Sequence, residues 1–163
     1  MDELRAAVTD KTKLLILNTP SNPTGAVYPM DLLEQIAALA QERDFLVLSD
    51  EVYEKLVFDN AVHKSIAALP GMKERTITVN GFSKAFAMTG WRMGYVAASA
   101  DLILPMLKVH QYAVASSNII AQSAATAALR SGEACVDEMR QEYARRRAFL
   151  LDAFAQIPEI SCV

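Results

Sequence analysis

Short runs of consecutive apolar residues alternate along the chain with stretches of helical spacing. Residues 13–17 (Lys-Leu-Leu-Ile-Leu) form an apolar run that stops at Asn18-Thr19-Pro20, the pattern of a buried strand entering a loop. Residues 45–48 (Phe-Leu-Val-Leu) form a second run, ending at Ser49-Asp50-Glu51, and 76–79 (Thr-Ile-Thr-Val) a third, ending at Asn80-Gly81-Phe82. Residues 93–98 can form a fourth strand. Between the first two runs, Leu32, Leu33, Ile36, Leu39 and Ala40 share one face of a helix over 31–43. After Asp101 the spacing predicts helices over 102 to about 114, 118–129 and 133 to about 154, with Gly132 separating the last two.

Strands without polar interruptions, alternating with helices, predict a mostly parallel sheet covered on both faces, an α/β/α arrangement. Ligands of such sheets sit beyond the carboxyl ends of the strands. Three segments meet that condition: 18–25, 50–53 and 81–84. The first is dense in turn formers, and its two prolines keep it out of any helix. No repeat or linker divides the chain, so residues 1–163 read as one unit.

Composition narrows the classes of function. The 163 residues are 52% hydrophobic and 21% charged, as in a globular domain with a real core. A net charge of −3 leaves no nucleic-acid footprint. The one dense basic cluster, Arg145-Arg146-Arg147, has acidic helical neighbours (Asp137, Glu138, Glu142) and reads as a solvated helix face. Cys135 and Cys162 match neither a disulfide framework nor a zinc pattern and read as cytosolic thiols. His63 and His110 have no Cys or carboxylate at metal-ligand spacing, so no metal site is expected. No apolar run is long enough to span a bilayer, and residues 1–5 hold no signal core, so the expectation is a cytoplasmic protein.

Single candidates at the three strand ends each have an ordinary explanation. A lysine after a strand, such as Lys84, is usually a surface residue. Asp50 suits a helix N-cap, Asn22-Pro23 a turn, Arg92 a structural ion pair, and Tyr53 a half-buried aromatic position. Read together they point elsewhere. The segments Asn18-Thr-Pro-Ser-Asn-Pro-Thr-Gly25, Ser49-Asp-Glu-Val-Tyr53 and Asn80-Gly-Phe-Ser-Lys-Ala-Phe-Ala-Met-Thr-Gly-Trp-Arg-Met-Gly-Tyr95 resemble, in order and spacing, the class I and II aminotransferases. These are fold-type I pyridoxal 5'-phosphate enzymes with an aspartate-aminotransferase-like core, and the resemblance covers essentially the whole chain.

The resemblance implies a role for each candidate. Lys84 would form the Schiff base with pyridoxal phosphate and then act as general acid and base; its amine must be neutral to attack an aldehyde, a state that desolvation favours. Asp50 would pair with the pyridine nitrogen, and Tyr53 and Asn22 would donate hydrogen bonds to the ring oxygen. Arg92 would clamp the phosphate, a task suited to a planar guanidinium fork. Ser83 either adds a hydroxyl to the phosphate or simply caps a helix. Many relatives carry a phosphate-binding Ser or Thr three residues before the lysine; Gly81 stands there instead, which leaves that contact to backbone N–H groups or missing. Met88, Trp91 and Ser116-Ser117-Asn118 face the site or a partner, or serve as core and cap.

By the same resemblance, residues 1–163 are a partial domain, the middle of the cofactor-binding large domain, without the family's N-terminal segment and C-terminal small domain. The function implied is amino-group transfer between an amino acid and a 2-oxo acid, with aspartate first among substrates and aromatic amino acids next, in a homodimeric full-length parent. The isolated chain is expected to bind cofactor weakly at most. A β-lyase or another fold-type I activity would share the same cofactor residues, and an inert fragment is the third reading. A related transcription regulator would carry a basic helix-turn-helix ahead of this core, and none is present.

Overall fold

The computed structural model describes residues 1–162. Helix α1 (Asp2–Ala7) leads into strand β1 (Leu14–Asn18), helix α2 (Met30–Glu42) and strand β2 (Leu46–Asp50). Residues 51–75 run as turns with a single 3-10 turn at Ile66–Ala68, followed by β3 (Thr76–Gly81). A second 3-10 turn (Thr89–Trp91) precedes β4 (Gly94–Ala97), and helices α3 (Ala100–Ala113), α4 (Ile119–Ser131) and α5 (Glu133–Phe154) complete the chain. The four strands form one sheet in the order β1-β2-β3-β4. The first two pairings are parallel, and β4 runs antiparallel to β3, so the sheet is mixed.

The apolar stripe of α2 explains the main core. Leu33, Ile36, Ala37, Leu39 and Ala40 are buried against Leu17 and Val47 from the sheet, with Phe45, Ile66 and Met72 closing the ends. Along β2 the side chains alternate: Val47 and Ser49 are buried, while Leu46, Leu48 and Asp50 are half-buried, the period of two that a strand imposes. Ser49 and Asp50 therefore leave β2 on opposite faces.

The lysine-bearing segment between β3 and β4 closes on itself. Phe82 donates its N–H to Met93 O at 3.2 Å, and Met88 N–H donates to Phe82 O at 3.1 Å. Phe82 is buried with its ring 5.4 Å from Phe86 and 5.7 Å from Tyr95. Phe86 in turn lies against Gly132, the residue between α4 and α5. A Cβ there would sit 3.1 Å from Phe86 Cε1 and 2.6 Å from Ala128 O, so the position accepts only glycine without a shift. Gly132 is needed for space rather than for backbone freedom.

Several sequence expectations shift. Helix α1 was not foreseen, because it buries no residue and so carries no apolar stripe. No helix follows Ser83: residues 83–86 form turns, so the capping alternative for Ser83 falls. Asp50 caps no helix either; its Oδ1 accepts from Val52 N–H at 3.2 Å in a local turn. Asn118 does cap α4, accepting from Ile120 N–H at 2.8 Å.

Burial separates two otherwise similar substitutions. Phe45→Ala, at a side chain only 1% exposed, is expected to cost about 3–5 kcal/mol. Phe149→Ala, at a residue 72% exposed, should stay within about 0.5 kcal/mol. Urea unfolding of the two variants measures both.

Candidate active site

Parallel register brings the polar strand ends side by side. Asn18 is the partner of Asp50, and Asp50 of Val79, so the exits of β1, β2 and β3 share one edge. The exits are also tied together: Thr19 N–H donates to Asp50 O at 3.2 Å and Asn18 Nδ2 to the same oxygen at 3.3 Å. Asn18 Oδ1 then accepts from Asn22 N–H at 2.9 Å, which fixes the start of the proline loop. Ser21 and Gly25 close that loop with a 2.8 Å bond from Gly25 N–H to Ser21 O, Gly25 taking φ +73°.

Three of the candidate residues meet at this edge. Asn22 Nδ2 donates to Tyr53 Oη at 3.1 Å, joining the loop after β1 to the turn after β2. Lys84 places Nζ 5.6 Å from the centroid of the Tyr53 ring, so the turn after β3 reaches the same spot. Lys84 is exposed in this chain. Asp50 stands next to them at the end of β2, half-buried.

Arg92 adopts a left-handed backbone conformation (φ 51°, ψ 48°) and donates Nη1–H to Thr89 O at 2.9 Å. A non-glycine residue there is uncommon, and such positions concentrate at functional sites. No carboxylate pairs with Arg92 among the described residues, so the ion-pair explanation fails. Its side chain lines an open cleft of about 670 Å³ with Trp91, Ser116, Ser117 and Asn118. Ser83 is half-buried beside Lys84.

Of the candidate residues the structure joins Asn22, Tyr53 and Lys84, while Arg92 lines the separate cleft with Trp91 and Ser116. The candidates offer a guanidinium without a carboxylate partner, an amide and phenol already in register, a carboxylate at a strand end and a reachable primary amine. Comparison with known proteins gives the family. The family model "Aminotransferase class I and II" matches residues 1–163. The chain belongs to the class I and II aminotransferases. Aspartate aminotransferase from Pyrococcus abyssi is 54% identical over 149 residues, covering 90% of this chain and 38% of that protein. Aromatic-amino-acid aminotransferase 2 from Thermococcus litoralis is 52% identical over 149 residues, with the same two coverages. Among solved structures, the aromatic aminotransferase from Pyrococcus horikoshii superposes with a TM-score of 0.90 at 52% identity, over 96% of this chain and 43% of that one. This aminotransferase chain thus spans about 40% of the length of the relatives it matches.

Sequence reasoning missed one constellation. Glu51, only 2% exposed, accepts from Ser49 Oγ at 2.8 Å and Ser65 Oγ at 2.7 Å on Oε1. Its Oε2 faces His63 Nε2 at 3.1 Å. An ionised carboxylate only accepts, so that nitrogen carries the proton. The alternation along β2 does put Glu51 on the core face, but nothing in the sequence links it to His63. Glu54 lies close enough that its carboxylate, Glu51 and His63 have ligand atoms within 4.8 Å of one another, a grouping absent from the sequence spacing. Both Glu51 oxygens are already engaged, so the arrangement reads as a hydrogen-bond network.

Burial pushes the Glu51 carboxyl up, but hydrogen bonds from His63, Ser65 and Ser49 and the charge of His63 together hold it below the ordinary value of 4.5. Nearby, burial and then the negative charges of Glu54 and Glu51 push the Tyr95 phenol above its ordinary range. Because the folded-state pKa of Glu51 is depressed, its stabilising contribution is complete above pH 4.5 and is lost as the pH falls through the folded value. Glu51→Gln is expected to lower stability by about 1–3 kcal/mol at neutral pH. In urea titrations at successive pH values, that gap should narrow only below pH 4.5.

Proposed function

We propose that residues 1–163 are the central part of the pyridoxal phosphate-binding domain of an aminotransferase, which moves an amino group between an amino acid and a 2-oxo acid. The observation that carries this reading is the meeting of Asn22, Tyr53 and Lys84 where three strands end. Pyridoxal 5'-phosphate, when bound, supplies the electron sink that makes the substrate's α-proton removable. The chain's own residues do the rest. Lys84 Nζ would hold the cofactor covalently and, once freed by substrate, would move the proton between the substrate's α-carbon and the cofactor's carbon. The Asp50 carboxylate holds a proton on the pyridine nitrogen. Tyr53 and Asn22 orient the ring through its oxygen, and Arg92, with the Ser83 hydroxyl, binds the phosphate.

The substrate class follows the names of the relatives, aspartate first and aromatic amino acids second. A homodimer is the favoured assembly, and Val109 and Tyr112 of α3, 71% and 95% exposed, are apolar positions a partner would cover. The two unpaired, exposed thiols, Cys135 and Cys162, suit the reducing cytoplasm. Among the described residues no helix is long and apolar enough to cross a membrane.

Incubation with pyridoxal phosphate followed by borohydride reduction and peptide mass mapping should place the adduct on Lys84. Lys84→Arg should abolish it. An adduct confined to other lysines of a folded sample would overturn the assignment.

A further inference from the structure

Glu51 follows Asp50 in sequence, but the alternation of β2 turns its side chain to the opposite face, with the buried Val47 and Ser49. It is the most heavily tied residue of the turn that presents Asp50 and Tyr53. Its N–H donates to Val79 O at 2.9 Å, and its carbonyl accepts from Glu54 N–H at 2.9 Å. Its side chain accepts from Ser49, Ser65 and His63. Ser65 Oγ also accepts from Ala67 N–H at 3.3 Å, which ties the network to the 3-10 turn whose Ile66 is sealed in the core. The carboxylate therefore bridges both ends of the 51–65 excursion, the start through Ser49 and the return through His63 and Ser65. Tyr53 rides on that excursion, with Leu56 N–H donating to Tyr53 O at 2.8 Å.

The geometry points to Glu51, His63 and Ser65 as positioning residues. Through these ties they clamp the turn that sets where Asp50 and Tyr53 meet the ligand. None of the three needs to touch it. A buried carboxylate suits this task because three charge-assisted bonds converge on one group, and each is stiffer than a neutral hydrogen bond. Loss of one tie frees a turn whose own backbone bonds are few. The proposal rests on the cofactor reading above only for what the clamped residues hold; the clamp itself is a property of the unloaded chain.

Two measurements keep the parts separate. Amide hydrogen exchange on the unloaded chain should show residues 51–53 opening about tenfold faster in Ser65→Ala and His63→Gln, while amides of α2 keep their wild-type protection. Ser65→Thr, which keeps the hydroxyl, should restore the wild-type rate. In the same variants, the pyridoxal phosphate concentration for half-maximal borohydride trapping at Lys84 should rise about tenfold, as when hydrogen bonds behind a binding group are removed elsewhere. The visible absorption maximum of the bound cofactor should shift with it. Unchanged exchange at 51–53, or loosening spread equally over α2, would overturn the clamp. Faster exchange at 51–53 with unaltered trapping and absorption would overturn its role toward the ligand. A wild-type chain that traps no pyridoxal phosphate would instead sink the cofactor reading, leaving the exchange result to decide the clamp.

Discussion

Parallel pairing of β1, β2 and β3 is the constraint from which the rest of the site follows. Once Asn18, Asp50 and Val79 are in register, three chain exits share one edge, and each must find hydrogen-bond partners for a backbone leaving a sheet. The partners are one another. Asp50 O serves both Thr19 and Asn18, and the Asn22 amide serves the Tyr53 phenol. The same bonds that terminate the strands therefore bring the candidate side chains together.

The antiparallel β4 gives the lysine a different kind of support. Between β3 and β4 the chain makes a closed loop pinned by Phe82, whose ring and backbone both face inward. Lys84 sits two residues beyond this anchor and is itself exposed, so its reach depends on packing next door. Phe86 against Gly132 links that loop to the junction of α4 and α5. The site is thus braced from the sheet on one side and from the helical half on the other.

What was legible in the sequence was whatever buries apolar surface in a regular period. The three parallel strands and the α2 stripe announce themselves because Leu33, Ile36 and Val47 must leave water. Helix α1 and the direction of β4 did not, since α1 turns only Leu4 part-way into the core and all four residues of β4 are exposed. Strand ends marked the segments 18–25, 50–53 and 81–84, while the choice of Asn22, Asp50, Tyr53, Ser83, Lys84 and Arg92 came from the family resemblance. The turn at Ser83, the exposure of Lys84 and the Glu51 network were hidden. Each depends on contacts between segments whose separation carries no periodic signal.

The Asn22–Tyr53 bond joins residues 31 positions apart, and the approach of Lys84 to Tyr53 spans a comparable stretch of chain. Such long-range contacts close late in folding, after local helices have formed. A chain with native helices but an unzipped sheet has the lysine, the phenol and the amide, yet no place where they coincide. Any ligand that needs all three discriminates by mass action between the finished fold and every partly folded form. Ligand occupancy thus reports completed assembly of the sheet and draws the population toward it.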